Sequence, residues 1–440
     1  MKICMLVFNN CVLDQRVRRE ARALAEVGHE VLILALHAKA VPLEEWIEGV
    51  HIMRYPWVPD WFLKCLQKLG VMSFTYVPIS LANLLPTGNL EPLSLGFRTV
   101  LKKIMGYLYR LCFFREAFAR RLYRSTFLPH ALKTNADCYH AHELYTLEVA
   151  GLAATQLGKR LVYDSHEYER DRVATHRSRW DWYFWRRLES YWIKKVDRVI
   201  TVSQSIAHAL QRDHGIEAPS VIVNTPEIAW QEVQNRVVFD IRGHYGLNEE
   251  SRIIMFVGGI QVRRGIEELL DAMKLLPHHV HLFLIGPNLM PDLLEAAQAT
   301  LHPRLHVVEP VAHQELMAYL AGASLSLCLI QQEPLSYRYS LPNKFFESVF
   351  AGTPILASRC PEFKRFIDRF ENGLLCDETS PQAIAEGIMT LLQDRARYVP
   401  DPATLQVIWS EYGWAHVKQK LQDLYTSLPT TDTIYPKTPQ

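Results

Sequence analysis

Two separate runs of short apolar strands alternating with amphipathic helices constrain this chain most. Residues 3–8 form an apolar strand, 17–27 carry apolar side chains at helical spacing up to Gly28, and 30–36 form the next strand. Strand, helix, strand with short links is a βαβ unit and demands a parallel sheet. The rhythm returns after residue 135, with strands ending near His140 and at 160–164, 198–202 and 220–224 around a helix at 146–157. A second run opens with a strand at 252–257. Helices at 265–276, 313–322 and 343–351 follow, with strands at 281–285, 306–308, 325–329 and 354–357. The 440 residues exceed one ordinary core. The expectation is α/β, with two Rossmann-like doubly wound domains joined near 226–250. The first spans 1–225 and the second 226–410, while 411–440 form a last helix at 412–428 and a frayed tail.

Composition adds an asymmetry. The chain is 49% hydrophobic and 22% charged, with a net charge of only +1. Residues 1–225 hold 30 Lys+Arg against 22 Asp+Glu, and 226–440 hold 18 against 25. The basic half is suited to an anionic partner such as a membrane surface, a phosphorylated acceptor or nucleic acid. No nucleic-acid module is recognised and the other half is acidic, which disfavours the last of these. The eight scattered cysteines form no C-x-x-C pair. They point to reduced, buried thiols in a cytosolic chain rather than to zinc or disulfides. No charged region precedes a long apolar stretch, so a signal peptide is not expected.

An insert at about 56–130 breaks the rhythm. Residues 69–90 carry no charge but include prolines, asparagines and glycines, which suits a membrane-surface dip or a buried loop better than a spanning helix. Between Arg98 and His130 there are eight basic residues against one Glu, interleaved with large apolar side chains. That pattern fits a basic amphipathic helix on an anionic membrane. It also fits an ordinary helix packed on the sheet with its cationic stems reaching solvent.

In open α/β sheets, ligands bind beyond the carboxyl ends of the strands. After residue 257 the chain reads Gly258-Gly259-Ile-Gln-Val-Arg263-Arg264-Gly265. The glycines permit close backbone approach, and Arg264 adds a donor fork where a helix N-terminus favours phosphate. A plain surface loop explains the same residues. After residue 330 a longer loop runs through Ser340 to Asn343 and Lys344. Asn343 is placed to cap the following helix, and Lys344 in its first turn opposes the dipole unless an anion binds there. Glu347 is suited either to two ribose hydroxyls or to complementing the helix end. In the first half, His140, His142 and Glu143 follow one strand and Asp164, His166 and Glu167 another. A metal is disfavoured because the two histidines lack a third ligand at partner spacing.

Taken in order, these segments resemble the retaining, family-4-type glycosyltransferases of the GT-B fold over nearly the whole chain. The run starting at Asp14-Gln-Arg16, the segments Tyr163-Asp-Ser-His-Glu and Val196-Asp-Arg-Val-Ile-Thr-Val-Ser, and Val221-Ile-Val-Asn-Thr-Pro carry the likeness. The most specific stretch is Leu341-Pro-Asn-Lys-Phe-Phe-Glu-Ser-Val-Phe-Ala-Gly-Thr-Pro-Ile-Leu-Ala-Ser.

The resemblance implies two domains facing across a cleft, with a nucleotide-sugar donor bound by the second. It implies donor contacts at Gly258, Gly259, Arg263, Arg264, Ser340, Asn343, Lys344 and Glu347. It gives His142, Arg264 and Lys344 catalytic roles, and puts Asp14, Arg16, His166 and Glu167 on the acceptor side. Glu347 matches the second glutamate of the family's Glu-(seven residues)-Glu motif, but the first falls on Tyr339. A phosphate-binding Gly-Arg appears here as Gly258-Gly259. The helix with Trp414 matches the segment that crosses back to the first domain. The expected function is sugar transfer to a glycan, lipid-linked or polysaccharide acceptor, with no cofactor and no metal, in the cytoplasm or at the inner face of an anionic membrane. A UDP-sugar 2-epimerase and a non-catalytic nucleotide-sugar-binding scaffold are the competing readings.

Overall fold

A computed structural model describes residues 1–57, 115–171 and 179–428. The chain divides into two compact units. One comprises Met1–Thr201, Ala207–Ser220 and Lys420–Gln440, and the other Val202–Ile206 and Val221–Gln419.

In the first unit, β1 (Lys2–Leu6), β2 (Glu30–Leu36), β3 (Glu44–Ile47), β4 (Val50–Tyr55), β5 (Cys138–His142), β6 (Arg160–Ser165), β7 (Arg198–Thr201) and β8 (Ser220–Val221) form one sheet. Their order is β3-β4-β2-β1-β5-β6-β7-β8. Its pairings from β2 and β4 through to β7 are parallel, and only β3 against β4 is antiparallel. Helices α1 (Gln15–Glu26), α2 (Arg115–Thr134), α3 (Glu143–Leu157), α4 (Arg179–Trp192) and α5 (Gln204–His214) follow in chain order. Residues 3–6 and 31–36 are buried throughout, as a parallel sheet covered on both faces requires.

In the second unit, β9 (Arg252–Val257), β10 (Val280–Ile285), β11 (Leu305–Val308), β12 (Leu325–Cys328), β13 (Ile355–Ser358) and β14 (Gly373–Cys376) take the order β11-β10-β9-β12-β13-β14. All these pairings are parallel. The longer helices are α6 (Ile266–Leu275), α7 (Pro291–Leu301), α8 (His313–Gly322), α9 (Asn343–Phe350), α10 (Pro361–Phe370), α11 (Pro381–Gln393) and α12 (Pro402–Tyr412), and α13 (Trp414–Thr426) belongs to the first unit from Lys420 onward. Both units are therefore Rossmann-like. The last helix expected at 412–428 is present at Trp414–Thr426, and a further helix not expected from the sequence, Pro402–Tyr412, precedes it across Gly413, where a Cβ would lie 2.4 Å from the Trp409 carbonyl.

Most of the insert, at 58–114, and the tail from 429 lie outside the described residues, as does the uncharged stretch 69–90. Where its basic segment is described, it follows the packing alternative. Tyr123 and Phe127 of α2 are buried, and Arg120 and Arg124 both donate to Oε1 of Glu148, at 2.7 and 3.2 Å. No helix among the described residues is long and apolar enough to cross a membrane. The six described cysteines are free thiols.

Close backbone approach shapes the carboxyl edge of the second sheet. Gly286 has φ 143°, and a Cβ there would stand 2.1 Å from the carbonyl oxygen of Gly258. The Gly258 N–H donates to Ile285 at 2.9 Å, so neither strand end can move away without losing the ladder. Gly286→Ala should cost about 1–3 kcal/mol through collision and left-handed strain together, read as a shift in the urea midpoint. An unchanged midpoint would show that this edge is slack.

Candidate functional site

The carboxyl edge of the second unit collects positive charge. The β9–α6 loop carries Arg263, in the left-handed region at φ 66°, then Arg264 and Gly265, also left-handed at φ 65°. A Cβ at Gly265 would fall 2.8 Å from Cβ of Leu329, so the loop is pressed onto the segment after β12. The Gln331 N–H donates to the Arg263 carbonyl at 3.2 Å and ties the two loops together. The guanidinium of Arg264 lies over the ring of Tyr337, 4.8 Å from its centroid. Such a stack holds the fork while leaving its N–H groups available. Among the described residues neither Arg263 nor Arg264 has a carboxylate partner within 4.0 Å.

The second cation arrives from α9. The Lys344 stem passes over Gly258, where a Cβ would lie 3.2 Å from its Cδ. A side chain at 258 would therefore push the ammonium away from the β9 loop. Lys344 Nζ stands 3.8 Å from Oε2 of Glu347, a loose pair. Asn343 does not cap the helix as expected. Pro342 holds the cap position and Asn343 is the first helical residue, with its buried Oδ1 lacking a hydrogen-bond partner. Proline has no side-chain acceptor, so the first-turn N–H groups are left without a capping side chain or a carboxylate. The N-terminus of α6 differs. Glu267 and Glu268 occupy its first turn, and Glu268 accepts from Gln331 Nε2 at 2.9 Å. Attraction for an anion therefore rests on the arginines and α9 rather than on α6.

The remaining expected donor residues surround this edge. The Ser340 hydroxyl donates to the Tyr337 carbonyl at 2.7 Å and braces the loop. Glu347 is buried, with Oε2 unbonded and Oε1 3.5 Å from Nδ1 of His313. Gly259 follows Gly258 in the β9 loop. His313 and Tyr337 were missed from sequence. Each touches a predicted residue, Tyr337 beneath Arg264 and His313 beside Glu347, and neither residue type at its place in the sequence points to that contact.

In the first unit, strand register sets His142 of β5 beside Asp164 of β6 at the sheet's carboxyl edge. Arg16, expected to face the acceptor, is instead turned inward. Its Nε and one terminal nitrogen grip the Asp164 carboxylate at 2.9 and 3.0 Å. The same guanidinium stands 3.0 Å from Glu20, one turn along α1. His166 Nε2 lies 3.1 Å from Asp164 and 3.2 Å from His142 Nδ1. His140 stacks on His142 at 4.0 Å and shares a 2.7 Å hydrogen bond with the Tyr425 hydroxyl of α13. Asp14 caps α1, accepting from the Val17 N–H at 3.2 Å and from Asn9 at 2.7 Å. Glu143 holds φ 63°, a left-handed conformation costly for a non-glycine residue, immediately after His142. Glu167 offers its carbonyl to the Ser165 hydroxyl at 2.8 Å.

The third and fourth partners that spacing did not reveal for the histidine pair are thus Glu20 and Asp164. One donor atom from each of Glu20, His140, His142 and Asp164 lies within 4.8 Å of the others. Arg16 already supplies positive charge to both carboxylates, which opposes a further cation. Burial sets the protonation pattern. His140 and His142 are held below their usual range by desolvation and by neighbouring positive charge. Asp164 stays well below the usual carboxylate range because Arg16 and His166 outweigh its burial. His166, beside Asp164, is raised to about 9 despite its own desolvation. Glu20 is raised to about 7, chiefly by desolvation. Arg16 is largely neutralised by Asp164, and it reaches Glu20 without the alignment of a hydrogen bond.

Two doubly wound parallel units are the architecture of the GT-B fold. Residues 100–226 match the family model described as Glycosyltransferase Family 4, and residues 251–394 match Glycosyl transferases group 1. By both of its halves the chain belongs to these glycosyltransferase families. It is 27% identical over 249 residues to an uncharacterized glycosyltransferase of Methanocaldococcus jannaschii, covering 52% of this chain and 59% of the relative. It is 24% identical over 241 residues to a D-inositol 3-phosphate glycosyltransferase of Xylanimonas cellulosilytica, covering 52% and 56%. The chain thus spans less than two thirds of the length of these curated relatives. Among solved structures, sucrose-phosphate synthase from Thermosynechococcus elongatus superposes with a TM-score of 0.71 at 17% identity, over 97% of this chain and 99% of the other. HepE of Anabaena in complex with UDP-glucose gives 0.62 at 16% identity, over 97% and 100%.

The buried cluster generates a pH prediction. A raised pKa contributes stability below the unfolded value and loses it as pH climbs through the folded one. For Glu20 that loss runs from 4.5 through about 7, and for His166 from 6.5 through about 9. The lowered histidines act oppositely, contributing above 6.5 and losing as pH falls. Glu20→Gln mimics the neutral acid. Relative to the parent it should gain on the order of 1–3 kcal/mol between about pH 5 and about pH 8, measured by denaturant unfolding. A variant that instead loses ground at the higher pH would show an ionised Glu20 paired with Arg16.

Proposed function

We propose that this chain moves a sugar from a nucleotide-diphosphate donor, a UDP-sugar, to a glycan, lipid-linked or polysaccharide acceptor with retention of configuration. The observation that carries the reading is the placement of Arg264, Lys344 and the uncapped N-terminus of α9 at the carboxyl edge of the second sheet, where both cations lie close enough to act on the Cys328 thiol and the Lys344 stem crosses side-chain-free Gly258. A guanidinium without a carboxylate, a loosely paired ammonium and uncapped amide donors suit a diphosphate, whose negative charge grows as the glycosidic bond to the sugar breaks. Preorganised donors of this kind stabilise the transition state more than the ground state. Glu347, buried beside His313, is assigned to the ribose hydroxyls. Arg263, Gly259, Ser340 and Asn343 complete the donor loops.

No carboxylate stands among the assigned donor groups other than Glu347, and the reading uses no covalent nucleophile. The departing phosphate oxygen takes the proton of the acceptor hydroxyl as the new bond forms on the same face. His142, held neutral by its buried surroundings, is assigned to orienting the transferred sugar. Arg16 is a positioning residue that acts through Asp164 and His166, while Asp14, His166 and Glu167 retain the acceptor-side assignment. The UDP-glucose bound by the Anabaena neighbour supports this donor class by analogy of fold. The excess of Lys and Arg in residues 1–225 supports an acceptor at an anionic membrane, met from the cytoplasmic side.

Purified protein incubated with UDP-, GDP- and ADP-sugars should release nucleotide from one donor only, and faster with membrane extract. Arg264→Ala should lower that release about a hundredfold or more, and Arg264→Lys should recover part of it. Full activity in Arg264→Ala would remove this residue from the site. Conversion of the donor to an epimeric sugar without transfer would replace the proposal with the epimerase reading.

A further inference from the structure

Helix α4 and the 3-10 turn Ile193–Lys195 that continues it present an unusual outer face. The inner face is anchored. Trp185 lies 4.5 Å from the Tyr145 ring, and Trp192 packs so tightly on α3 that a Cβ on Gly151 would stand 2.3 Å from its indole. Glu189 is turned inward, where it accepts from the Tyr163 hydroxyl at 3.0 Å and lies 3.4 Å from His214. It is the only carboxylate residue between 182 and 195, so the exposed positions of that span carry none.

That outer face repeats in steps of four: Trp182, Arg186 on one row, and Tyr183, Arg187, Tyr191, Lys195 on the next, with Lys194 exposed at the end. At the helical rise it runs roughly 20 Å. Trp182, Tyr183 and Tyr191 are 42%, 48% and 56% exposed. An ordinary solvated helix pairs its cations with carboxylates one turn away. Here they sit on rings instead: Arg186 over Trp182 at 5.1 Å, Arg187 over Tyr183 at 5.7 Å and Lys195 over Tyr191 at 3.9 Å. The indole N–H of Trp182 is bonded to the Arg170 carbonyl at 2.7 Å, which fixes the ring at the surface.

We propose that this face of α4 docks the protein on an anionic lipid bilayer, with its four cations on headgroup phosphates and its three rings at the headgroup level. Charge selects the occupant, because four cations with no exposed carboxylate between 182 and 195 complement a negatively charged sheet. The rings select it further. Trp and Tyr, apolar in body and polar at the tip, favour the membrane–water boundary. Single-stranded nucleic acid requires open ring faces on which bases stack, whereas these rings are covered by their own cations. The inference deepens the membrane-acceptor part of the proposed function and rests on it for its purpose. It assigns the contact to a helix in the described fold rather than to the Arg98–His130 stretch.

The test is co-sedimentation of the full chain with phosphatidylcholine vesicles, with and without phosphatidylglycerol. Three forms are compared: the parent, R186Q/R187Q/K194Q/K195Q, and K102Q/K103Q in the insert. A basic side chain near an anionic surface contributes about fivefold in partitioning, so the quadruple variant should bind a hundredfold or more weakly. The parent should bind only the anionic vesicles and be released by salt, while the insert variant keeps most of its binding. R186K/R187K, with charge conserved, should bind as the parent does, which separates docking from misfolding. Parental binding by the quadruple variant would overturn the α4 assignment and leave membrane contact standing. No binding by the parent would overturn both, with donor turnover unaffected as evidence for the transferase. Failure on vesicles joined to α4-dependent binding of a single-stranded oligonucleotide would assign the face to nucleic acid and overturn the proposal.

Discussion

The carbonyl of Gly258 occupies the space that a side chain at position 286 would fill. Everything at the carboxyl edge of the second sheet follows from this approach. It holds the ends of β9 and β10 together, and the bare Cα of Gly258 leaves a channel for the Lys344 stem. The ammonium therefore reaches the loop that carries Arg263 and Arg264. Removing one methyl group's worth of volume, twice, is what lets two cations from distant parts of the sequence share an edge. Like charges brought together cost free energy, and an anion between them returns it.

The first unit uses charge differently. Its cluster is buried, with Arg16 and His166 set against Asp164 and a Glu20 that holds its proton up to about pH 7. It fixes His142 by hydrogen bonds and ring stacking from three sides, and Tyr425 ties α13 to the same point through His140. The strained backbone of Glu143 sits next to the one histidine whose orientation the whole arrangement controls.

Much of this was legible in the sequence, and the reasons differ by element. The strands at 30–36 and 252–257 and the helix at 313–322 have the predicted limits, because each is an apolar run or period bounded by turn residues. The β3–β4 ribbon escaped notice because Glu44 and Trp46 face solvent and Glu45 pairs with the buried Arg54, which together break the buried-strand pattern. Strand β14 is four residues long and half-covered, too short for periodicity to register. Searching strand ends found Gly258, Arg264, Lys344 and Glu347. It could not find Tyr337 or Glu20, whose importance lies in what they touch rather than where they fall. Asn343 was read as a cap from residue type alone, and the fixed φ of Pro342 took that position instead.

The central claim is that the second unit binds its donor mainly through the diphosphate. Calorimetric titration of the nucleoside diphosphates UDP, GDP and ADP, each against its parent nucleoside, measures this directly. One diphosphate should bind at least about a hundredfold more tightly than its nucleoside, with the gap narrowing as salt rises. Equal affinity for diphosphate and nucleoside, at low salt, would contradict it.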